Sequence, residues 1–419
     1  MSKQISMSDH DAVILGGART PIGRYGGSLS HIRTDDLLGL AMTHACERSG
    51  VRPEQLQEIA AGCVNVAQEG MGDIARWAAL AAGFPDHVPA YTVNRFCASS
   101  LTATIGIANS IRAGDISLGM AAGVESMSRS GWALMKGDAP FMPRGPVFML
   151  DTMWAGAGGP PNPKLLERDA YIEMIKTAQN LATQYEIPRE EIDAFALRSH
   201  RHAAAARDSG RFGKEIFAVE TPAGRKGETR TFSADESIRD DTSLERLAAL
   251  APQPGTQVMT AGNSSPLSDG ASGVVLASAG HAQQLGATPV ARVLASAATG
   301  VDPTIMGIAP AYALPRAIEK AGLTADQIDV YEIHEAFAAQ VLAVLREFRT
   351  QTGFEIPDDR LNPNGGAVAL GHPFGDSGTR CVLTLATELH ARGLRYGAIG
   401  VCVGSGQGVA LVIENTRAA

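Results

Sequence analysis

The chain has 419 residues, 45% hydrophobic, with 19% charged residues and only 5% aromatics. That composition buries a large core over two or three domains and suits tightly packed α/β layers. A formal net charge of -8, with no basic run, excludes a nucleic-acid-binding surface.

The opening residues MSKQISMSDHD carry no apolar core of a secretory signal, and no apolar run reaches membrane-spanning length. Five scattered cysteines without a CxxC pair argue against a disulfide framework, so the expected setting is reducing and cytoplasmic.

A strand is predicted from Ala12 to Leu15, a helix from Leu37 to Cys46, and a strand from Ile59 to Val66. The later half copies this order, with Val290–Ala295 as strand, Ala311–Lys320 as helix and Val330–Ile333 as strand. The copy is plainest in ERSGVRPEQLQEI and EKAGLTADQIDVY, each a helix end with a glycine stop, a short turn and a strand entry. Each half also has a helix rich in small residues before a buried strand. These are Ala98–Ala113 with Leu118–Ala122, and Ser377–Ala391 with Gly397–Val403.

The stretch between the halves differs in kind. It holds the Gly/Pro cluster GAGGPPNP, helices over Ala170–Tyr185 and Arg189–Asp208, and a charged linker, GRKGETRTFSADESIRDD. Its apolar segment Phe141–Trp154 is expected to pack on the protein's own core, or else on a partner or membrane. The predicted division is residues 1–129, an insertion at 130–266, and 267–419, whose first strand returns to the N-terminal half.

Four side chains invite chemistry. Cys97 lies between a strand-like TV and a long apolar helix, where a helix N-terminus favours a thiolate; a buried core thiol is the plain alternative. His372 sits in the glycine-crowded GGAVALGHPFGDSGTR, placed to take a thiol proton or to serve as a structural histidine. Cys402 precedes GSGQG, followed by a strand, which rules out a dinucleotide fingerprint. A thiol of ordinary pKa near ~8.5 is suited to proton transfer there. His334, at a strand-to-helix junction, is suited to donate to a thioester oxygen. A metal is not expected, because no second ligand stands at helical spacing. His200 and His202 are expected at the surface.

Taken together these segments resemble the thiolase family. ARTPIGRYGGSLS resembles its N-terminal signature and VNRFCASS its nucleophile site. TAGNSSPLSDGA resembles its coenzyme loop, and HEAFA, GGAVALGHPFGDSGTR and CVGSGQG its three C-terminal motifs. The resemblance spans nearly the whole chain in the family's order. It implies an α/β, five-layered αβαβα fold, two similar βα halves plus an inserted loop domain for coenzyme A and substrate. It also implies a ping-pong acyltransferase, a 3-ketoacyl-CoA thiolase of fatty acid β-oxidation. The alternatives are a biosynthetic acetoacetyl-CoA thiolase and a non-catalytic coenzyme A-binding subunit. Coenzyme A would be a substrate, with no permanently bound cofactor.

By resemblance Cys97 is acylated, His372 activates it, and Cys402 moves the proton at the acetyl carbon. Backbone N–H groups of Cys97 and Gly404 would hold one oxyanion, and His372 with His334 the enolate. Arg239, Ser265, Ala336 and Phe337 would line the coenzyme site. A homodimer or homotetramer, and association with a hydratase/dehydrogenase subunit, are implied as partners. The chain departs from the family pattern at Glu173, Ile175, Pro266 and Ser405, which border the acyl pocket and coenzyme tunnel.

Overall fold

The two repeated phrases fold alike in the computed structural model, which describes residues 7–65, 68–70, 72–134, 149–153, 162–223 and 227–418. Each helix stops on a left-handed glycine, Gly50 (φ 65°) or Gly322 (φ 72°). Each short turn that follows is closed by a glutamine: Gln55 Oε1 accepts from the Arg52 N–H, and Gln327 Oε1 from the Thr324 N–H, both at 2.9 Å.

The principal strands are β1 (Ala12–Arg19), β2 (Glu58–Gly62), β3 (Ala90–Val93), β4 (Leu118–Ser126), β5 (Ser268–Ser278), β6 (Ala291–Gly300), β7 (Val330–Ile333), β8 (Tyr396–Val403) and β9 (Gln407–Glu414). They run in the order β7-β8-β9-β6-β1-β5-β4-β2-β3, and the two-residue strand Gly23–Arg24 pairs with the start of β5. The sheet is two leaves joined by a thin seam, since β1 meets β6 through only Val13↔Arg292 and Ile14↔Ala291. After residues 130–266 the chain returns as β5 between β1 and β4.

The longer helices are α1 (Thr34–Ser49), α2 (Ile74–Ala81), α3 (Ser99–Ala113), α4 (Met174–Gln184), α5 (Arg189–Asp208), α6 (Pro310–Lys320), α7 (Ala338–Thr352) and α8 (Ser377–Arg392). Alternation along the strands explains the layers. Met120 and Ala122 of β4 pack outward with Leu37 and Ile74 of α1 and α2. Ala121 packs inward, in one core with Leu101 of α3, Leu385 of α8 and Ile399 of β8. On the far side Ala398 and Val412 join α4 to α7. The result is the five-layered αβαβα arrangement, with α3 and α8 as its middle layer.

That middle layer is crowded because glycines let backbone touch backbone. A Cβ on Gly378 would stand 2.1 Å from the Leu101 N, one on Gly62 would stand 2.3 Å from the Ser100 N, and one on Gly123 would stand 2.5 Å from the Gly375 O. Side chains cannot occupy those points.

Several expectations need correction. The strand placed over Ile59–Val66 ends at Gly62, where the Val64 and Asn65 N–H groups turn to bond Glu125. The helix placed from Ala170 begins at Met174, after a turn with Asp169 at φ 50°. The stretch read as a charged linker is anchored. Thr229–Phe232 pairs with Val219–Pro222, and Asp235 forms a two-pronged bond with buried Arg19, at 2.8 and 3.0 Å. Arg19 also reaches Glu215 at 2.9 Å, so this arginine fastens the stretch around Asp235 to the first leaf. The apolar segment's Phe141–Phe148 and Trp154, and most of the Gly/Pro cluster, lie outside the described residues. No helix among the described residues is long and apolar enough to cross a membrane.

Candidate active site

Cys97 is presented on a strained turn rather than on the helix itself. β3 ends at Val93, Phe96 takes φ 45°, and α3 begins only at Ser99. A left-handed phenylalanine costs of order 1–3 kcal/mol. Asn94 Oδ1 accepts from the Phe96 N–H at 3.0 Å, and Ser99 Oγ accepts from the Arg95 N–H at 2.9 Å while donating to the Phe96 carbonyl at 2.6 Å.

The N–H groups of Ala98 and Ser99 are spent closing this turn onto the carbonyls of Arg95 and Phe96. The donors at the Cys97 sulfur are instead its own N–H and that of Gly404. They ease the thiolate, but the dense packing around the sulfur outweighs them and pushes the Cys97 thiol up to about 11. The expected helix-favoured thiolate is therefore not the resting state. Alkylation of the Cys97 peptide by iodoacetamide is expected to be slow at neutral pH and to rise roughly tenfold per pH unit from about 8 to 10. A rate already level by pH 8 would contradict this.

Gly404 belongs to the turn between β8 and β9, Gly404-Ser405-Gly406, in which Ser405 (φ 62°) and Gly406 (φ 81°) are both left-handed. Ser405 thus holds a conformation that suits glycine better, at the position where the family pattern favours one. Phe96 and Met174 lie 3.7 and 3.6 Å from the point a Gly404 Cβ would occupy, so the Cys97 turn abuts the Cys402 turn. Cys402 is fully buried at the end of β8. Burial and the neighbouring Cys97 both drive its thiol well upward, keeping it protonated. It packs with Met306 and Ala336, with Met174 and Phe337 against them.

The two imidazoles form a buried pair. His334 follows β7 and is held by its N–H to the Gly400 carbonyl at 2.8 Å. Its Nε2 lies 3.1 Å from Nδ1 of His372. His372 follows Gly371, whose φ of 111° and closeness to Ser268 exclude a side chain there. Nδ1 of His372 also lies 2.7 Å from Ser377 Oγ, which donates to the Pro373 carbonyl at 2.9 Å. A carbonyl only accepts, so the hydroxyl proton goes to Pro373 and Nδ1 of His372 carries its own proton. Nε2 is left with a lone pair, and neither it nor Nδ1 of His334 has a hydrogen-bond partner among the described residues. Burial, then Arg380, lowers His372 to about 3; burial, then His372, lowers His334 well below the ordinary value. Both rings are neutral at physiological pH.

The coenzyme-loop candidates come together with the HEAFA segment. The Ser265 N–H donates to the Ala336 carbonyl and the Ala338 N–H to the Asn263 carbonyl, each at 3.0 Å, and Ser264 bridges Phe337. Arg239 does not join them by any hydrogen bond among the described residues. It is exposed beside α5, where its N–H donates to Nδ1 of His200 at 3.2 Å. His200, expected at the surface, is buried, and that burial lowers it to about 4. His202 is half-buried, with Nδ1 3.2 Å from the Asn362 carbonyl. Sequence reasoning passed over Glu125, whose carboxylate accepts from the N–H groups of Val64, Asn65 and Gly375 at 3.0, 2.9 and 2.8 Å. It ties the His372 loop to the first leaf.

The family profile described as "Thiolase, N-terminal domain" matches residues 12–280, and "Thiolase, C-terminal domain" matches residues 287–415. The chain is 44% identical over 417 residues to the "Beta-ketoadipyl-CoA thiolase" of Pseudomonas aeruginosa, covering 99% of this chain and 100% of that one. It is 42% identical to the "3-oxoadipyl-CoA/3-oxo-5,6-dehydrosuberyl-CoA thiolase" of Escherichia coli, covering 96% and 99%. Among solved structures, the Bacillus anthracis acetyl-CoA acetyltransferase superposes with a TM-score of 0.88 at 39% identity, covering 98% of this chain and 100% of that one.

Proposed function

This chain belongs to the thiolase family, and on that premise we propose that it cleaves 3-oxoacyl-CoA thioesters with coenzyme A. The supporting observation is that two backbone N–H groups meet the part-buried Cys97 sulfur and a second thiol adjoins it, while two buried, neutral imidazoles pair on segments that include the His372 loop, which the Ser100 hydroxyl ties to the start of α3 through the Asp376 carbonyl at 3.0 Å.

In the proposed cycle Cys97 Sγ attacks the C3 ketone as its proton passes to Nε2 of His372. The N–H groups of Cys97 and Gly404 hold the C3 oxyanion. The C2–C3 bond then breaks, leaving an acyl group on Cys97 and its electron pair on acetyl-CoA as an enolate. Nδ1–H of His334 and the newly protonated Nε2 of His372 donate to the enolate oxygen, and Cys402 delivers a proton to C2. A second coenzyme A then takes the acyl group from Cys97, its thiol proton passing to the Cys402 thiolate while Nε2 of His372 returns its proton to the departing Cys97 sulfur, so both groups are reset and the kinetics are ping-pong. Both neutral rings suit this scheme, because one must accept a proton before it donates a hydrogen bond.

For the acyl group, the names of the two relatives at 42–44% identity favour a dicarboxylic chain, 3-oxoadipyl-CoA, over the straight chains of fatty acid β-oxidation. Condensation of two acetyl-CoA is the rival reading, carried by the name of the structural neighbour. Thiolysis of 3-oxoadipyl-CoA is expected to exceed that of a neutral 3-oxoacyl-CoA of equal length by about tenfold or more in kcat/KM. Equal rates would return the assignment to fatty acid β-oxidation, and activity confined to acetoacetyl-CoA would assign the biosynthetic role.

A further inference from the structure

The HEAFA segment holds a buried ionisable group that the proposed cycle leaves unused. Glu335 is fully buried, and three donors converge on its carboxylate. They are Asn362 Nδ2 at 2.8 Å, Ser199 Oγ at 2.6 Å and the Val368 N–H at 3.3 Å. Asn362 brackets Ile333, the residue before His334, as well: its Oδ1 accepts from the Ile333 N–H, and its Nδ2 donates to the Ile333 carbonyl, both at 2.8 Å. It does so at φ 40°, a conformation asparagine tolerates better than most residues. With His334 N–H on the Gly400 carbonyl, the backbone on both sides of the His334 ring is fixed.

The same clamp reaches the other imidazole. Ser199, on α5, also accepts from the Gly366 N–H at 3.1 Å. A Cβ on Gly366 would stand 2.3 Å from Glu335 Cδ. Residues 366–371 lead directly into His372, and the Gly371 N–H closes back onto the Ala367 carbonyl. One carboxylate thus joins the end of β7, helix α5 and the loop of His372. An ionised carboxylate only accepts, which matches three converging donors. An amide in its place would turn its own N–H toward one of them.

We infer that Glu335, through Asn362 and Ser199, is a positioning residue that sets His334 against His372 and so builds the donor pair for the enolate oxygen. This rests on the reading of that pair given under Proposed function. Two measurements separate the steps. Exchange of label between acetyl-CoA and free coenzyme A needs only acylation of Cys97, whereas thiolysis also needs the enolate to depart. Glu335→Gln is expected to lower the thiolysis kcat by at least about tenfold and to lower label exchange, which needs His372 but not His334, by a clearly smaller factor. Ser199→Ala, which removes one donor and leaves the carboxylate, is expected to show the same split with a smaller loss. Proportional loss of both activities in Ser199→Ala, or no loss in either variant, would overturn the inference. Absence of label exchange in the wild-type protein would instead reject the acyl-enzyme reading.

Discussion

Cys97→Ala is expected to lose thiolysis by roughly 10^4-fold or more, the scale on which removing a covalent nucleophile acts. The folded state should be almost untouched, because the Cys97 turn is closed by Asn94 and Ser99 and by backbone bonds, not by the sulfur. Incubation with acyl-CoA followed by intact-mass measurement provides the second half of the test. Wild type is expected to gain one acyl group, mapped to the Cys97 peptide, and the variant none. Native-rate turnover by Cys97→Ala would end the covalent scheme. An adduct on Cys402 instead would exchange the roles of the two thiols. The raised Cys97 pKa makes the outcome informative, since a resting thiol must surrender its proton within the complex and the substrate must therefore be in place.

Gly378→Ala is expected to destabilise the fold by about 3 kcal/mol or more, the upper range for forcing volume into a close-packed interior. Its Cβ would meet the Leu101 backbone N at 2.1 Å and the Leu101 Cβ at 2.7 Å, so relief requires α3 and α8 to part. Gly213→Ala is the matched control, because nothing lies within 4 Å of its Cβ position. Thermal denaturation of the two variants beside wild type measures the difference. A Gly378→Ala melting temperature equal to that of the control would show that the middle layer yields more readily than its geometry indicates.

The layered fold was largely legible because it is written twice. Paired glycine stops, matching turns and small-residue helices before buried strands each repeat, and period-2 alternation separates inner from outer faces. The thin β1–β6 seam was not legible, because strand adjacency between halves leaves no local pattern. The anchored stretch around Asp235 was misread for a related reason. Its charges look solvated until Arg19, which lies 216 residues away, is placed beside it.

At the site, Cys97, His372, Cys402 and His334 could be singled out because each carries unusual neighbours: glycines, a strand-to-helix junction or a helix entrance. Their protonation could not, since burial decides it and outweighs the local dipole at Cys97. Glu335 sat in plain view within HEAFA, yet a lone acid beside apolar residues gives no hint of three convergent donors from distant segments. His200 looked exposed for the converse reason, as the residues that cover it lie beyond its own helix.

The shared middle layer also bears on what the chain can survive. α3 and α8 each serve both leaves, so neither half owns a sealed interior. A fragment ending near the seam would present a bare wall of small and branched side chains to water, a surface that self-associates. The repeat is therefore best understood as a permanent pairing, two look-alike units wedded in a single polypeptide because neither could have remained solitary.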